Sequence, residues 1–352
     1  MRVQSLTRLR IVSTALLVAM GVGVLAGAAS RPASAQPAGA PGAAPGVRGI
    51  KPAAMTPVKI AIGGGLKSAA YWDVMVAEAQ GFLVQNRLQP EFIEVAGGPD
   101  TVQAVVAGSA DFGGAATDSI VRGINKGAPI AMIAGGAYPA LALVTAPAID
   151  TYEKLRGKRI AVTSVTAGST LLLVELLRAH GLGEKDVEFV LSGATPQRLA
   201  AVTSGAVQGT VLSPPEDLTA QKAGFRILGY VNEAARFVFI SHMVSKPFAA
   251  KNRPAAVAYA RAIRDANRFL LDPANKAASV AALRKYTKAS PENADATYDT
   301  VIGKLKGFVK DATPTAKDLE GMLRVVERTD KISGLKTDTF IDTSFLRDAG
   351  QP

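Results

Sequence analysis

The stretch VKIAIGGGLKSAAYWDVMVAEAQGF at residues 58–82 has a counterpart, KRIAVTSVTAGSTLLLVELLRAHGL, at residues 158–182. Each begins with a short apolar segment typical of a strand, passes through a loop of small residues and enters an apolar stretch of helical length. Gly81 near the end of the first copy recurs as Gly181, and glycine commonly follows the last residue of a helix. Each copy therefore predicts a strand, a loop and a helix.

The likeness between the copies continues further along the chain. LQPEFIEV at residues 88–95 corresponds to DVEFVL at residues 186–191, and the short helical stretch after each ends at a glycine, Gly108 or Gly205. Each copy is therefore predicted to fold as β-α-β-α-β. Strands that alternate with helices form parallel sheets covered on both faces, and right-handed crossovers make such sheets doubly wound.

Apolar segments outside the copies are predicted to carry the chain between two lobes and back. The predicted fold class is therefore α/β, with two doubly wound lobes joined by a two-strand hinge and followed by C-terminal helices. Lobe 1 is predicted to contain residues 58–142 and lobe 2 residues 143–236. Residues 237–352 are predicted to supply the return strand and the helices that complete lobe 1. Such a clamshell closes on a ligand about its hinge.

Residues 1–35 have the pattern of a secretory signal peptide. Arginines precede a long apolar run, and Ala-Ser-Ala ending at Ala35 forms a cleavage site. The alternative is a retained membrane anchor, because the run approaches spanning length. Residues 36–57, rich in proline, glycine and alanine, are predicted to be a flexible leader. A cleaved signal predicts a periplasmic protein.

Composition excludes several classes of function. The chain has no cysteine, which excludes disulfides, cysteine-bound metal and a thiol nucleophile. Removal of residues 1–35 takes away four arginines and no acid, and lowers the net charge from +11 to +7. No basic cluster with interleaved aromatics is present, so no nucleic-acid partner is expected. No nucleophile elbow or metal-ligand spacing is found, so neither an enzyme nor a metal site or other cofactor is expected.

Several motifs in order also resemble a known family, the nitrate/sulfonate/taurine and thiamine-pyrimidine-precursor group of substrate-binding proteins of ABC importers. They are Tyr71–Trp72, Ala79–Gly81–Phe82, Ala107–Gly108–Asp111–Phe112–Gly113, Gly127–Ala128–Pro129, and Leu155–Gly157–Lys158–Ile160–Val162–Gly168–Ser169. The resemblance spans roughly residues 58–230. It implies the type II periplasmic-binding-protein clamshell, a small-molecule ligand and an ABC permease partner in the inner membrane.

Ligands of open α/β sheets bind at the carboxyl ends of the strands, so the loops after matching strands are predicted to face each other across the cleft. The candidate ligand-binding residues in these loops are Lys67, Ser68, Tyr71, Trp72, Gly98, Thr117, Asp118, Tyr138, Thr163, Ser164, Gly168, Ser169, Thr170, Thr195, Ser213 and Glu216.

The hydroxyl-rich loop TSVTAGST at residues 163–170 has two interpretations. Ser169 or Thr170 is a natural helix N-cap, which is a purely structural role. The loop also holds more hydroxyls than one cap needs, so its N–H and O–H donors are expected to face an anionic or carbonyl group.

Other candidates also have a structural alternative. Trp72 either stacks on a planar ligand or fills the core at the start of a helix. Lys67 either pairs with a ligand anion or is solvated. Asp118 and Glu216 either contact the ligand or cap helices.

The sequence thus predicts an exported, monomeric solute-binding protein that delivers a small anionic or planar organic ligand to the permease. The alternative is an exported sensor that binds a ligand and signals to a membrane receptor.

Overall fold

The computed structural model describes residues 54–350. The predicted signal peptide and the leader up to residue 53 lie outside the described residues. The first strand begins at Thr56, within the last residues assigned to the leader. Within the described part of the chain, no helix is both long and apolar enough to cross a membrane.

Two five-stranded sheets form the framework of residues 54–350. The strands in chain order are β1 Thr56–Gly63, β2 Leu88–Val95, β3 Phe112–Ala116, β4 Ile130–Gly135, β5 Ala142–Thr145, β6 Arg159–Val162, β7 Glu188–Leu191, β8 Gly209–Leu212, β9 Arg226–Tyr230 and β10 Ile240–Ser245.

The two sheets have the same topology, which explains the sequence repeat. The strand order is β2-β1-β3-β10-β4 in one sheet and β7-β6-β8-β5-β9 in the other. In each, the first three strands are parallel, and the fourth is antiparallel and arrives from the opposite lobe. The predicted α/β fold with two doubly wound lobes is confirmed.

Helices cover the sheets and form the C-terminal part. They are α1 Trp72–Ala79, α2 Phe82–Gln85, α3 Gly98–Val106, α4 Thr117–Asn125, α5 Gly168–Ala179, α6 Thr195–Thr203, α7 Glu216–Lys222, α8 Lys246–Lys251, α9 Arg253–Leu271, α10 Lys276–Thr287, α11 Pro291–Tyr298, α12 Ala316–Asp330 and α13 Ser344–Asp348.

The start of α5 differs from the prediction. Ala167 is the N-cap and makes no side-chain cap bond, so the expectation of a cap at Ser169 or Thr170 is wrong. The Thr170 hydroxyl instead donates to the carbonyl of Ser164 at 2.7 Å and fastens the loop to the helix. Gly168, the first residue of α5, lies against lobe 1, where a side chain would not fit.

The hinge consists of two crossing segments, residues 136–141 and 231–239, between strands of different sheets. They are hydrogen-bonded to each other at both ends. The Phe239 N–H donates to the carbonyl of Ala137 at 2.8 Å, and the Val231 N–H donates to that of Leu141 at 3.0 Å. Because these hydrogen bonds join the two crossing segments, we expect the segments to bend together when the lobes move.

The C-terminal helices contact both lobes. Helix α9 packs on α1 of lobe 1. In contrast, Lys222 of α7 in lobe 2 pairs with Glu292 of α11, and Arg328 of α12 pairs with Glu175 of α5. The segment assigned to lobe 1 in the sequence therefore also bridges to lobe 2.

Candidate functional site

A cavity of about 100 Å³ lies between the lobes, at the carboxyl ends of β1, β2, β3, β6, β7 and β8. This is the edge at which open α/β sheets bind ligands. The structure brings nine of the candidate residues to its wall: Lys67, Ser68, Tyr71, Gly98, Thr163, Gly168, Ser169, Thr195 and Ser213.

The sequence analysis missed Arg198, which carries the positive charge of the cavity wall. Arg198 lies on α6 and is only 3% exposed. Its guanidinium donates to the carbonyls of Val211 at 3.2 Å and Gly193 at 2.7 Å, and to the hydroxyls of Thr163 and Thr195. Within residues 54–350 no carboxylate lies within ion-pair distance of it. The wall therefore holds a buried cation whose partners are neutral.

Burial lowers the pKa of Arg198 to about 10, and the charge of Glu216 opposes this shift, so the side chain stays charged at neutral pH. A buried charge without an ion-pair partner is unfavourable, and an anion placed beside it would offset that cost. No sequence signal separates Arg198 from a solvated arginine on an amphipathic helix; only the packing of α6 under β8 turns it inward.

The N-terminus of α5 lines the same side of the cavity through Gly168 and Ser169. N–H groups in the first turn of a helix have no acceptor within the helix, and the helix dipole favours negative charge there. Together with Arg198 and the hydroxyls of Thr163 and Thr195, this end presents donors from the two regions that follow β6 and β7 in lobe 2. The geometry suits an anionic group.

The lobe 1 wall is built from small residues that pack tightly against one another. A Cβ on Gly98 would lie 2.5 Å from Ser119 Oγ, and one on Gly63 would lie 3.0 Å from the carbonyl carbon of Gly97. The lobes touch beside the cavity, where the Ala69 N–H donates to the Pro214 carbonyl at 3.0 Å. The clamshell is therefore in a closed arrangement.

Trp72 lies in the core, away from the cavity wall. It is fully buried, its Nε1–H donates to the carbonyl of Ser279 at 2.8 Å, and its ring meets Tyr298 edge to face. Trp72 is therefore not included in the proposed site as a residue that stacks on the ligand. Helix α1 begins at Trp72, and the indole side chain points toward α10.

Three further candidates lie outside the wall. Thr117 is buried and bonded to Ser241, and the Tyr138 hydroxyl donates to Asp318 on α12 at 2.8 Å. Asp118 is not a helix cap but pairs with Arg122 at 2.6 Å on the same helix. Burial raises the pKa of Asp118 to about 6. These residues support the hinge and the contact between the lobes.

Candidates at the margins of the cavity have partners of their own. Lys67 pairs with Glu94 at 2.6 Å, and both side chains are about half exposed, so its charge is balanced within lobe 1. Ser164 lies at the outer mouth of the cleft. Glu216 is partly buried at the start of α7, and desolvation raises its pKa to about 8.

Several solved structures have a similar fold. The ligand-binding component of an ABC-type import system from Staphylococcus aureus is 14% identical, with a TM-score of 0.71, over 84% of this chain and 99% of that one. The alkanesulfonate-binding protein SsuA from Xanthomonas axonopodis, bound to MOPS, is 19% identical with a TM-score of 0.64, over 80% and 96%.

The nitrate-binding protein NrtA from Synechocystis is 15% identical with a TM-score of 0.66, over 84% and 88%. All three neighbours are ligand-binding proteins, in agreement with the expectation of a binding protein. No protein with a curated description matches the sequence.

The family comparison covers more than half of the chain. The model described as NMT1/THI5 like matches residues 70–276, which include both hinge crossings and most of both lobes. The resemblance drawn from the sequence motifs is thereby confirmed, and the chain belongs to the NMT1/THI5-like family.

Proposed function

We propose that the protein is an exported solute-binding protein that captures a small organic anion between its lobes and delivers it to an ABC permease. The observation that carries the proposal is Arg198, a buried cation in the wall of the cleft whose hydrogen-bond partners are all neutral. The fold shared with binding components of import systems supports the transport role.

The anion is proposed to bind lobe 2 first. Arg198, Thr163, Thr195 and the first turn of α5 all belong to residues 143–236, so the donor set is complete before closure. Lobe 1, proposed to comprise residues 58–142 and 237–352, then covers the ligand with Gly98 and Tyr71. Closure excludes water and strengthens the charged hydrogen bonds. No covalent step is part of this cycle.

The location and assembly state belong to the same proposal. The signal pattern in residues 1–35 and the periplasmic neighbours support export, with cleavage near Ala35. The protein is proposed to act as a monomer, with the ligand held between the two lobes of a single chain.

The test is calorimetric titration of methanesulfonate, nitrate and acetate into the protein and into its Arg198→Gln variant. Loss of one partner of a buried charged pair costs about 2–5 kcal/mol, so we expect affinity for the bound anion to fall by about 100-fold. Arg324→Gln, an exposed arginine on α12, is the matched control and should bind as the parent does. Equal affinities for the parent and Arg198→Gln would contradict the proposal.

A further inference from the structure

The cavity wall is divided between a polar and an apolar side. The polar side is the donor set of lobe 2 around Arg198. The apolar side is formed by Tyr71, Leu141, Phe239 and Ile240, where the chain crosses between the lobes. A ligand that fills the cavity therefore meets donors at one end and hydrocarbon at the other.

A second, smaller cavity lies against the apolar side and is called the hinge pocket here. It is lined by residues from both hinge crossings and from the C-terminal part, chiefly Ala137, Ala140, Leu141, Phe239, Val301 and Phe308. Four residues line both cavities: Ala70, Leu141, Ser213 and Phe239. Two of these four have very small side chains, so little separates the hinge pocket from the anion site.

The hinge pocket is small and apolar. Its volume is about 10 Å³, which is roughly the space that one water molecule requires. A site with so few polar groups offers a water molecule too few partners, whereas a methyl or ethyl group would gain contacts on every side.

We propose that the hinge pocket is the subsite for the apolar end of the ligand, and that it selects short, unbranched organic anions. This inference rests on the proposed function, because the anionic end must be held by Arg198. The pocket is lined by both crossings, so a group seated there also packs against the two segments that move when the lobes close. We therefore expect the length of the ligand's alkyl chain to determine both its affinity and the extent to which the lobes close.

The experiment is a calorimetric series of methane-, ethane-, propane- and butanesulfonate with the purified protein, and benzenesulfonate as a planar comparison. Each methylene buried in an apolar site strengthens binding about fourfold. We expect this gain over the first one or two methylenes, followed by a loss once the pocket is full. Equal affinity along the series, or tightest binding of benzenesulfonate, would overturn the inference.

Two variants change the pocket in opposite directions. Ala140→Leu fills a position that lines the hinge pocket and not the anion cavity, so it should remove the chain-length gain and leave methanesulfonate within about twofold. Val301→Ala enlarges the pocket and should shift the best chain length upward by about one methylene. Ala107→Leu, at an exposed helix end, is the size-matched control.

The outcomes separate the two proposals. If sulfonates bind through Arg198 but the chain-length profile is the same in the parent and in Ala140→Leu, the hinge-pocket inference is wrong and the proposed function stands. If no anion binds to any variant, both are overturned.

Discussion

At the residue scale, a few contacts decide how closely the lobes approach. Gly168 begins α5 in lobe 2, and any Cβ there would overlap Asp118 Oδ1 and lie 3.0 Å from the Cβ of Ala116 in lobe 1. Asp118 is held in place by Arg122, which is itself bound bidentately by Asp330. Because these ion pairs hold the Asp118 carboxylate in place, it cannot make room for a larger residue at position 168. We therefore expect closure of the lobes to require Gly168.

Substitution of Gly168 therefore tests closure directly. We expect Gly168→Val to weaken ligand binding by at least about tenfold, since steric overlap of this kind costs about 1–3 kcal/mol in the closed form. Unfolding of the ligand-free protein should change little, because the open form relieves the overlap. Calorimetry and urea unfolding measure the two effects.

Gly303→Ala is the matched control, because a Cβ there meets nothing within 4 Å. Normal affinity in Gly168→Val would show that the lobes do not meet at this residue in the ligand-bound form.

Trp72 gives the opposite prediction, a change in stability without a change in binding. Trp72→Phe removes the indole donor to Ser279 and leaves a gap beside Tyr298. We expect the free energy of unfolding to fall by about 1–3 kcal/mol. Affinity for the anion should remain within about twofold of that of the parent protein. A large loss of affinity with unchanged stability would indicate that Trp72 contacts the ligand.

Residue identity alone predicted part of the site. Thr163, Ser169 and Thr195 were recognised because small hydroxyl residues follow strands at the cleft edge. Arg198 was not named, and ligand stacking and core packing both stayed open for Trp72, because the direction of a side chain on a helix depends on which face packs against the sheet. Nothing in the local sequence fixes that face.

At the element scale, helix α12 links the hinge to both lobes. Near its start, Asp318 accepts a hydrogen bond from the Tyr138 hydroxyl in one crossing and, through its carbonyl, from the Val238 N–H in the other. Near its end, Arg328 pairs with Glu175 on α5 of lobe 2. The helix therefore spans the region that must flex when the cleft opens.

Loss of the Arg328 pair should favour the open form modestly. Exposed ion pairs contribute about 0.2–1 kcal/mol, so Arg328→Gln should weaken ligand binding by less than about fivefold. The effect should diminish at high salt, where exposed charges are screened. Arg324→Gln on the same helix is the control, and equal salt dependence in the two variants would argue against a bridging role for α12.

The elements themselves were largely predictable from the sequence. Two copies of the same apolar and glycine pattern identified the first three strands of each lobe, β1–β3 and β6–β8; the order of strands within the sheets was not predicted. The bridging role of α11 and α12 was not predictable, because contacts such as Lys222 with Glu292 join residues far apart in the chain and leave no local pattern.

At the scale of the whole molecule, burial of carboxyl groups in lobe 2 links stability to pH. Burial raises the pKa of Glu216 from 4.5 to about 8 and that of Asp217 from 3.8 to about 7, while the charge of Arg198 opposes the shift at Glu216. A raised pKa in the folded state means that stability is fully present below the ordinary pKa and is lost as pH rises through the shifted one.

The free energy of unfolding should therefore decrease between about pH 5 and pH 9. Glu216→Gln is neutral at every pH and should remove part of that decrease, on the order of 2 kcal/mol. Urea unfolding at intervals across this range measures the slope. Glu292→Gln, at a mostly exposed carboxylate, is the control, and a slope identical in the parent and Glu216→Gln would show that Glu216 is ionised in the folded protein throughout.

The most direct test of the account is small-angle X-ray scattering of the protein and of Arg198→Gln, each with and without saturating short-chain alkanesulfonate. The account predicts that the anion reduces the radius of gyration of the parent protein as the lobes close, and that Arg198→Gln shows no such change at the same concentration. A radius of gyration that is unaffected by the anion in the parent, or that falls equally in both proteins, would contradict it.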